Sequence, residues 1–237
     1  MKYIGNELEL FAKAINWKEY WSSKVVPYIK GDVMEVGAGI GGTTNVLVRK
    51  SNYKSWLCLE PDQTLASQIS DTLDNHTSEI RIVSGFVQDL DPDKKFDTIL
   101  YIDVIEHIEN DDSELKKAYE RLNPGGALII LVPAFNWLFS PFDEAVGHFR
   151  RYTKTMLKAV VPKELRKEKL NYLDFGGFLA SVVNKLLLQQ SIPTLKQISF
   201  WDRVIVPCSK IVDPLIGYSA GKTLVGIWIK HPNDSDA

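Results

Sequence analysis

A chain of 237 residues with 45% hydrophobic and 24% charged side chains has an ordinary globular composition, and it is long enough for one large domain with a substantial core. Its formal net charge of −2 gives no general drive toward nucleic acid, its two cysteines cannot frame a stapled fold, and no run of 18 apolar residues exists to span a bilayer. The N-terminus lacks the basic-then-apolar order of a secretory signal, so a cytoplasmic setting is expected, with Cys58 buried and reduced in an apolar strand.

Taken in order, residues 7–28 place Leu8, Phe11, Ile15, Tyr20 and Trp21 at helical spacing, with Pro27 interrupting the end. Residues 1–30 therefore predict a helical cover, packed on a sheet or closing over a ligand. Val33, Met34 and Val36 read as a buried strand that breaks at glycine, and a helix pattern resumes at Thr43 with Val46 and Leu47. Strand, glycine turn and helix open a nucleotide-binding α/β unit, because the turn lets a ligand approach bare backbone N–H groups. Gly37, Gly39 and Gly42 satisfy a dinucleotide pattern, whereas Glu35, Gly37, Gly39 and Gly41 satisfy an acid-first glycine loop. The glycines alone do not separate the two ligand classes. Glu35 favours the second, since a carboxylate at a strand end repels a pyrophosphate and suits ammonium or sulfonium charge.

Trp56 to Asp62 is a second buried strand, and its acid, Glu60, falls about twenty residues past the glycines, where a ribose is held. A helix over 64–73 and a strand over 80–83 follow, leading to Ser84-Gly85-Phe86-Val87-Gln88-Asp89, a loop expected to meet an adenine edge through Phe86 or Asp89. Phe96 to Asp103 is the fourth strand, and Asp111 to Ser113 should cap the next helix. Asn123-Pro124-Gly125-Gly126 predicts a tight turn into a fifth strand over 127–132. Strands alternating with helices at this spacing imply a parallel, doubly wound sheet with ligands beyond the strands' carboxyl ends.

Glu35 to Gly41, Leu59-Glu60, Asp97 to His107 and Leu122 to Gly126 occur in the order found in class I S-adenosylmethionine (SAM)-dependent methyltransferases, and the chain resembles that family over residues 30–135. The resemblance implies a Rossmann-like methyltransferase fold, a seven-stranded, mainly parallel sheet whose last strand is antiparallel. It also implies SAM as cofactor, bound by Glu35, Gly37, Ala38, Gly39, Gly41, Glu60, Pro61, Gly85, Phe86, Asp89, Asp103 and Val104. Where many relatives have Gly-Asp after the third strand, this chain has Gly85-Phe86. Gly147-His148-Phe149-Arg150-Arg151-Tyr152 resembles a bacterial subgroup with a Gly-His-x-Arg-Arg-Tyr stretch.

The aromatic run from Phe135 to Phe149 follows the fifth strand and is expected to roof the methyl donor, with Phe135, Trp137, Phe139, His148, Arg151 and Tyr152 meeting the acceptor. Arg150 and Arg151 could hold an acidic group of that acceptor, or pair with acids of the protein. Thr153 should cap a helix to Val161, and strands at 170–175 and 223–229 complete the sheet. Between them, residues 176–221 predict helices over 178–188 and 201–211, read as a lid, an acceptor-site wall or a homodimer surface.

Methyl transfer needs alignment of acceptor, methyl and sulfur more than a nucleophilic side chain, and positioning can be worth roughly 7–11 kcal/mol. A hydroxyl acceptor would benefit from a base, for which His148 is the first candidate and His107 the second. His76, His107, His148 and His231 lack the spacing of a metal-ligand set, so no metal is expected. The expected reaction is methylation at oxygen or nitrogen of a small-molecule acceptor, without nucleic acid or membrane insertion. The rival readings are an NAD(P)-dependent oxidoreductase, for which no hydride-transfer acid stands out, and a SAM-binding protein that methylates nothing.

Overall fold

The computed structural model describes residues 13–74, 79–188 and 193–232. The predicted residues 7–12, His76 and the polar end 233–237 lie outside that set. One sheet is built from β1 (Lys30–Val36), β2 (Asn52–Glu60), β3 (Ile80–Ser84), β4 (Phe96–Ile102), β5 (Leu122–Pro133), β6 (Arg166–Leu173) and β7 (Thr223–Ile229). Their order is β3-β2-β1-β4-β5-β7-β6. Strands β1 to β5 pair in parallel, and β7 runs antiparallel between β5 and β6. This is the expected mainly parallel, seven-stranded α/β architecture.

Alternation along each strand makes two cores. Val33, Trp56, Leu100 and Ile129 point to one face, where α1 (Ile15–Val25) covers them. Their neighbours Met34, Leu57, Ile99 and Leu128 point to the other, where Leu115 and Leu157 pack from α4 (Asp111–Glu120) and α6 (Lys154–Val160). Further α-helices among the described residues are α2 (Gly42–Val48), α3 (Gln63–Thr72), α5 (Pro141–Ala145), α7 (Phe175–Val183), α8 (Leu195–Phe200) and α9 (Val206–Leu215). Asp62 caps α3, accepting from the Thr64 and Leu65 N–H groups, and Thr153 caps α6, accepting from the Met156 N–H.

The 123–126 run is not a turn but lies within β5. Phe96 pairs with Leu122 and Thr98 with Ala127, so a register shift absorbs the extra residues. Buried acids fasten the 176–221 excursion to the body. Asp174 accepts from Trp201 Nε1 at 2.7 Å and Ser209 Oγ at 2.7 Å, Asp213 accepts from Tyr20 Oη at 2.8 Å, and Asp202 accepts from the Trp17 N–H at 2.8 Å. The inward side of α7 starts at Gly176, where a Cβ would come within 2.5 Å of Ile205. The apolar face of Leu179, Val183, Leu186 and Leu187 is thereby turned outward, with Leu187 76% exposed.

Candidate active-site cleft

The strand order reverses between β1 and β4, and there the carboxyl ends of the strands open into a cleft of about 1100 Å³. The glycine loop forms its floor. Gly37 and Gly39 adopt φ of 67° and 56°, and a Cβ on Gly37 would lie 2.6 Å from Val104. Both the Gly37 and Ala38 N–H groups donate to the Leu59 carbonyl, which lays the loop across the end of β2.

Glu60 ends β2 with its carboxylate under this loop. Its Oε2 accepts from the Gly39 N–H at 2.8 Å and its Oε1 from the Asp62 N–H at 2.9 Å. Burial raises its pKa against those two bonds, and each oxygen keeps a lone pair for a ligand on the cleft side. On the far side of β1, Asp103 follows β4 in a left-handed conformation, φ 55°, and opens onto the same cleft. Solvent in the cleft reaches it, but protein surrounds it on most sides; this enclosure raises its carboxyl to about 6, opposed by His148 and Lys222. Pro61, Gly85, Phe86 and Val104 also line the cleft.

Three of the expected donor residues stand elsewhere. Glu35 is 2% exposed and lies beneath the loop, where its Oε2 accepts from Thr44 Oγ1 at 2.7 Å and Trp56 Nε1 at 3.0 Å. It ties α2 to β2 and does not line the cleft. Gly41 starts α2 with φ 84° and packs toward Ile69. Asp89 accepts from the Phe86 N–H at 2.8 Å, closing the turn it belongs to. In that loop Gly85, Phe86, Val87 and Gln88 reach the cleft instead.

Burial raises the Glu35 carboxyl to about 7, opposed by its two donors. The folded chain therefore holds a proton that the unfolded chain releases near 4.5, and this contribution to stability declines as pH rises from about 4.5 through 7. Glu35→Gln should remove that slope, gaining up to about 3 kcal/mol on the wild type between pH 5 and pH 8. Denaturant unfolding at the two pH values measures it; parallel pH profiles for both proteins would contradict the assignment.

The other end of the cleft is built by Glu106, His107 and the loop after β5. Asp143, buried, accepts from Arg151 Nε and Nη2 at 2.7 and 2.8 Å and from Ser140, and it holds His148 Nδ1 at 2.9 Å. These donors keep its carboxyl well below the usual range despite burial. Nε2 of His148 is left for the cleft. The ring of His107 meets that of His148 edge-on at 4.5 Å, and burial lowers its pKa to about 4. Glu106 is fully buried with no hydrogen-bond partner on either oxygen, and burial, with Asp103 adding to it, pushes its carboxyl well up. One ligand atom each of Glu106, His107 and His148 lie within 4.8 Å of one another. The histidine spacing that excluded a metal set gave no sign of this cluster, because its third member is a carboxylate and its parts come from two loops.

The expected acceptor residues divide. His148 and Arg151 line the cleft, Arg151 with its guanidinium already on Asp143. Tyr152 is a core residue; its hydroxyl donates to Asp111 Oδ2 at 2.5 Å, beside the Arg150–Asp111 ion pair of 2.7 Å. Phe135, Trp137 and Phe139 do not line the cleft. Phe135 stacks on Tyr172 at 4.7 Å and meets Phe178 of α7, with Trp137 beside it. The roof is drawn instead from α1 and the excursion: Trp17, Lys18 and Trp21, with Trp201 tilted 5.7 Å from Trp17. Lys18 Nζ stands beside the loop, 3.4 Å from where a Gly42 Cβ would be. Burial lowers its pKa.

Residues 34–128 match a family model described as a methyltransferase domain. No curated protein matches the chain in sequence. Among solved structures, the chain complexed with the Haloferax volcanii Trm112 methyltransferase activator is similar at 15% identity, with 96% of this chain and 97% of that one covered and a TM-score of 0.63. The N-methyltransferase NodS of Bradyrhizobium japonicum WM9, solved with S-adenosyl-L-homocysteine (SAH), is similar at 10% identity over 92% and 88%, TM-score 0.59. A SAM-dependent methyltransferase of Clostridium acetobutylicum aligns at 12% identity over 92% of each chain, TM-score 0.55. The fold is the Rossmann-like methyltransferase fold.

Proposed function

We propose that this protein transfers a methyl group from SAM to an oxygen or nitrogen atom of a small-molecule acceptor, as a member of the Gly-His-x-Arg-Arg-Tyr subgroup of class I methyltransferases. The observation that carries the reading is the Glu60 carboxylate bonded to the Gly39 N–H on one side of β1, with Asp103 at the end of β4 on the other. Two ribose hydroxyls can donate to Glu60, a charge-assisted pair of bonds. The glycine loop lets the donor lie against bare backbone. Acids at the cleft wall favour a cationic donor and oppose a pyrophosphate, which weighs against a dinucleotide. Gly85, Phe86 and Val87 border the adenine end, where Phe86 offers an exposed ring face. Lys18 is placed for the donor's carboxylate.

The sulfonium then faces Asp103 and the Glu106–His107–His148 end, where the acceptor enters. His148 is the group on the acceptor, oriented through Nδ1 by Asp143 and Arg151. The tryptophans of α1 and Trp201 exclude water above the reacting centre, and a dry site disperses the sulfonium charge as the methyl leaves.

Labelled methyl from SAM, offered with a panel of hydroxyl and amine acceptors and with RNA and protein, tests the reading. Label in the low-mass fraction is the expected result. Label confined to RNA or protein would overturn the small-molecule acceptor, and tight SAH binding with no label in any fraction would favour a binding protein.

A further inference from the structure

We infer that Glu106, His107 and His148 form a binding site for a divalent transition metal, with Zn²⁺ the first candidate, at the acceptor end of the cleft. This deepens the methyltransferase reading and rests on it for the role of the metal. Three observations carry it. The three side chains bring ligand atoms to within 4.8 Å of one another; an ion bonded at about 2.0–2.2 Å holds tetrahedral ligands roughly 3.3–3.6 Å apart, so small side-chain rotations close the set on one ion. Glu106 is wholly buried, lines the cleft, and has both carboxylate oxygens without a hydrogen-bond partner, although nearly every buried polar atom of a folded protein has one. Lastly, His148 has its far nitrogen fixed: Nδ1 is on Asp143 Oδ1 at 2.9 Å, and Asp143 is itself clamped by Arg151. A carboxylate behind an imidazole is the arrangement that orients a metal-ligating histidine and directs Nε2 at the ion.

The donor set fixes the class of ion. Two imidazoles and one carboxylate suit zinc and its first-row neighbours better than Mg²⁺ or Ca²⁺, which prefer all-oxygen shells. Three protein ligands leave at least one coordination position open, and it faces the cleft, as in a catalytic rather than a structural site. An acceptor hydroxyl can fill it. The metal-bound hydroxyl gives its proton to cleft water; an oxygen lone pair then forms the O–CH₃ bond as the C–S bond breaks with its electron pair left on sulfur. The products are the methyl ether and neutral SAH, with one proton released. Metal coordination lowers a hydroxyl's pKa and fixes its lone pair toward the methyl, so the ion replaces a separate base.

The test uses the full chain, freed of metal with a chelator, titrated with Zn²⁺ by calorimetry and with Co²⁺ by visible absorption. Wild type should take up a single Zn²⁺ per chain and give a Co²⁺ ligand-field spectrum. Glu106→Gln and His107→Asn should each weaken uptake by roughly 100-fold or more, and Asp143→Asn, acting through His148, by about 10–100-fold. SAH is titrated into the same samples, so the two readings fail separately. SAH binding without Zn²⁺ uptake overturns the metal site alone, and Zn²⁺ uptake without SAH binding overturns the donor reading alone. Uptake undiminished in Glu106→Gln and in His107→Asn places the ion elsewhere and overturns the proposal. Two ligand variants, checked for folding by circular dichroism, keep the test decisive if one is unstable.

Discussion

His148→Ala is expected to lower methyl transfer about 10²–10⁴-fold while SAH affinity stays within a factor of about two. The asymmetry follows from position. His148 stands beside His107 at the proposed acceptor end, whereas Glu60, the proposed ribose acceptor, is held at the other by the glycine loop and the N-terminus of α3. Losing an interaction made with the acceptor lowers turnover and leaves donor binding intact. His148→Gln keeps a hydrogen bond to Asp143 but provides neither a proton-accepting nor a strong metal-ligating nitrogen. It should be impaired nearly as much as the alanine variant. Full activity of His148→Ala at limiting acceptor would move the acceptor site elsewhere in the cleft.

The second large effect concerns the donor. Glu60→Ala removes the acceptor for the Gly39 and Asp62 N–H groups as well as for the ribose. Loss of a charged hydrogen-bond acceptor of this kind costs about 1.5–3 kcal/mol, or roughly 10–150-fold in SAH affinity by calorimetry. Gly39→Val should bind still more weakly, since Gly39 sits at φ 56°, where a β-branched residue is strained. Unchanged affinity in Glu60→Ala, with the fold intact, would remove Glu60 from the site.

Backbone pattern and side-chain destination were legible to different degrees. Strands β1 to β4 could be read because each carries an apolar run with glycine or acid at its end; β7 falls at Thr223–Ile229 as expected, and β3 and β4 to within a residue. Glu60 and Asp103 could be placed because a strand end fixes where a side chain emerges. Glu35 could not be, since the pleat turns it beneath the loop onto Thr44 and Trp56, and a sequence does not say which face of a strand end the cleft takes. The aromatic run misled for a related reason. Phe135 finds Tyr172 and Phe178, partners supplied by an edge strand and by α7, which are distant in sequence. Tyr152 disappears into the core through Asp111. Glu106 was legible in principle: it follows Asp103 by three positions, next to a histidine, in the turn after a strand of the switch point.

On the proposed reading, the cleft at the β1–β4 switch takes a cationic SAM-type donor through Glu60 and the glycine loop. Calorimetric titration of the wild-type protein with SAH and, separately, with NAD tests it most directly. A single SAH site per chain, with no measurable heat of binding for NAD, is the expected result. Saturable NAD binding together with silence toward SAH would contradict it.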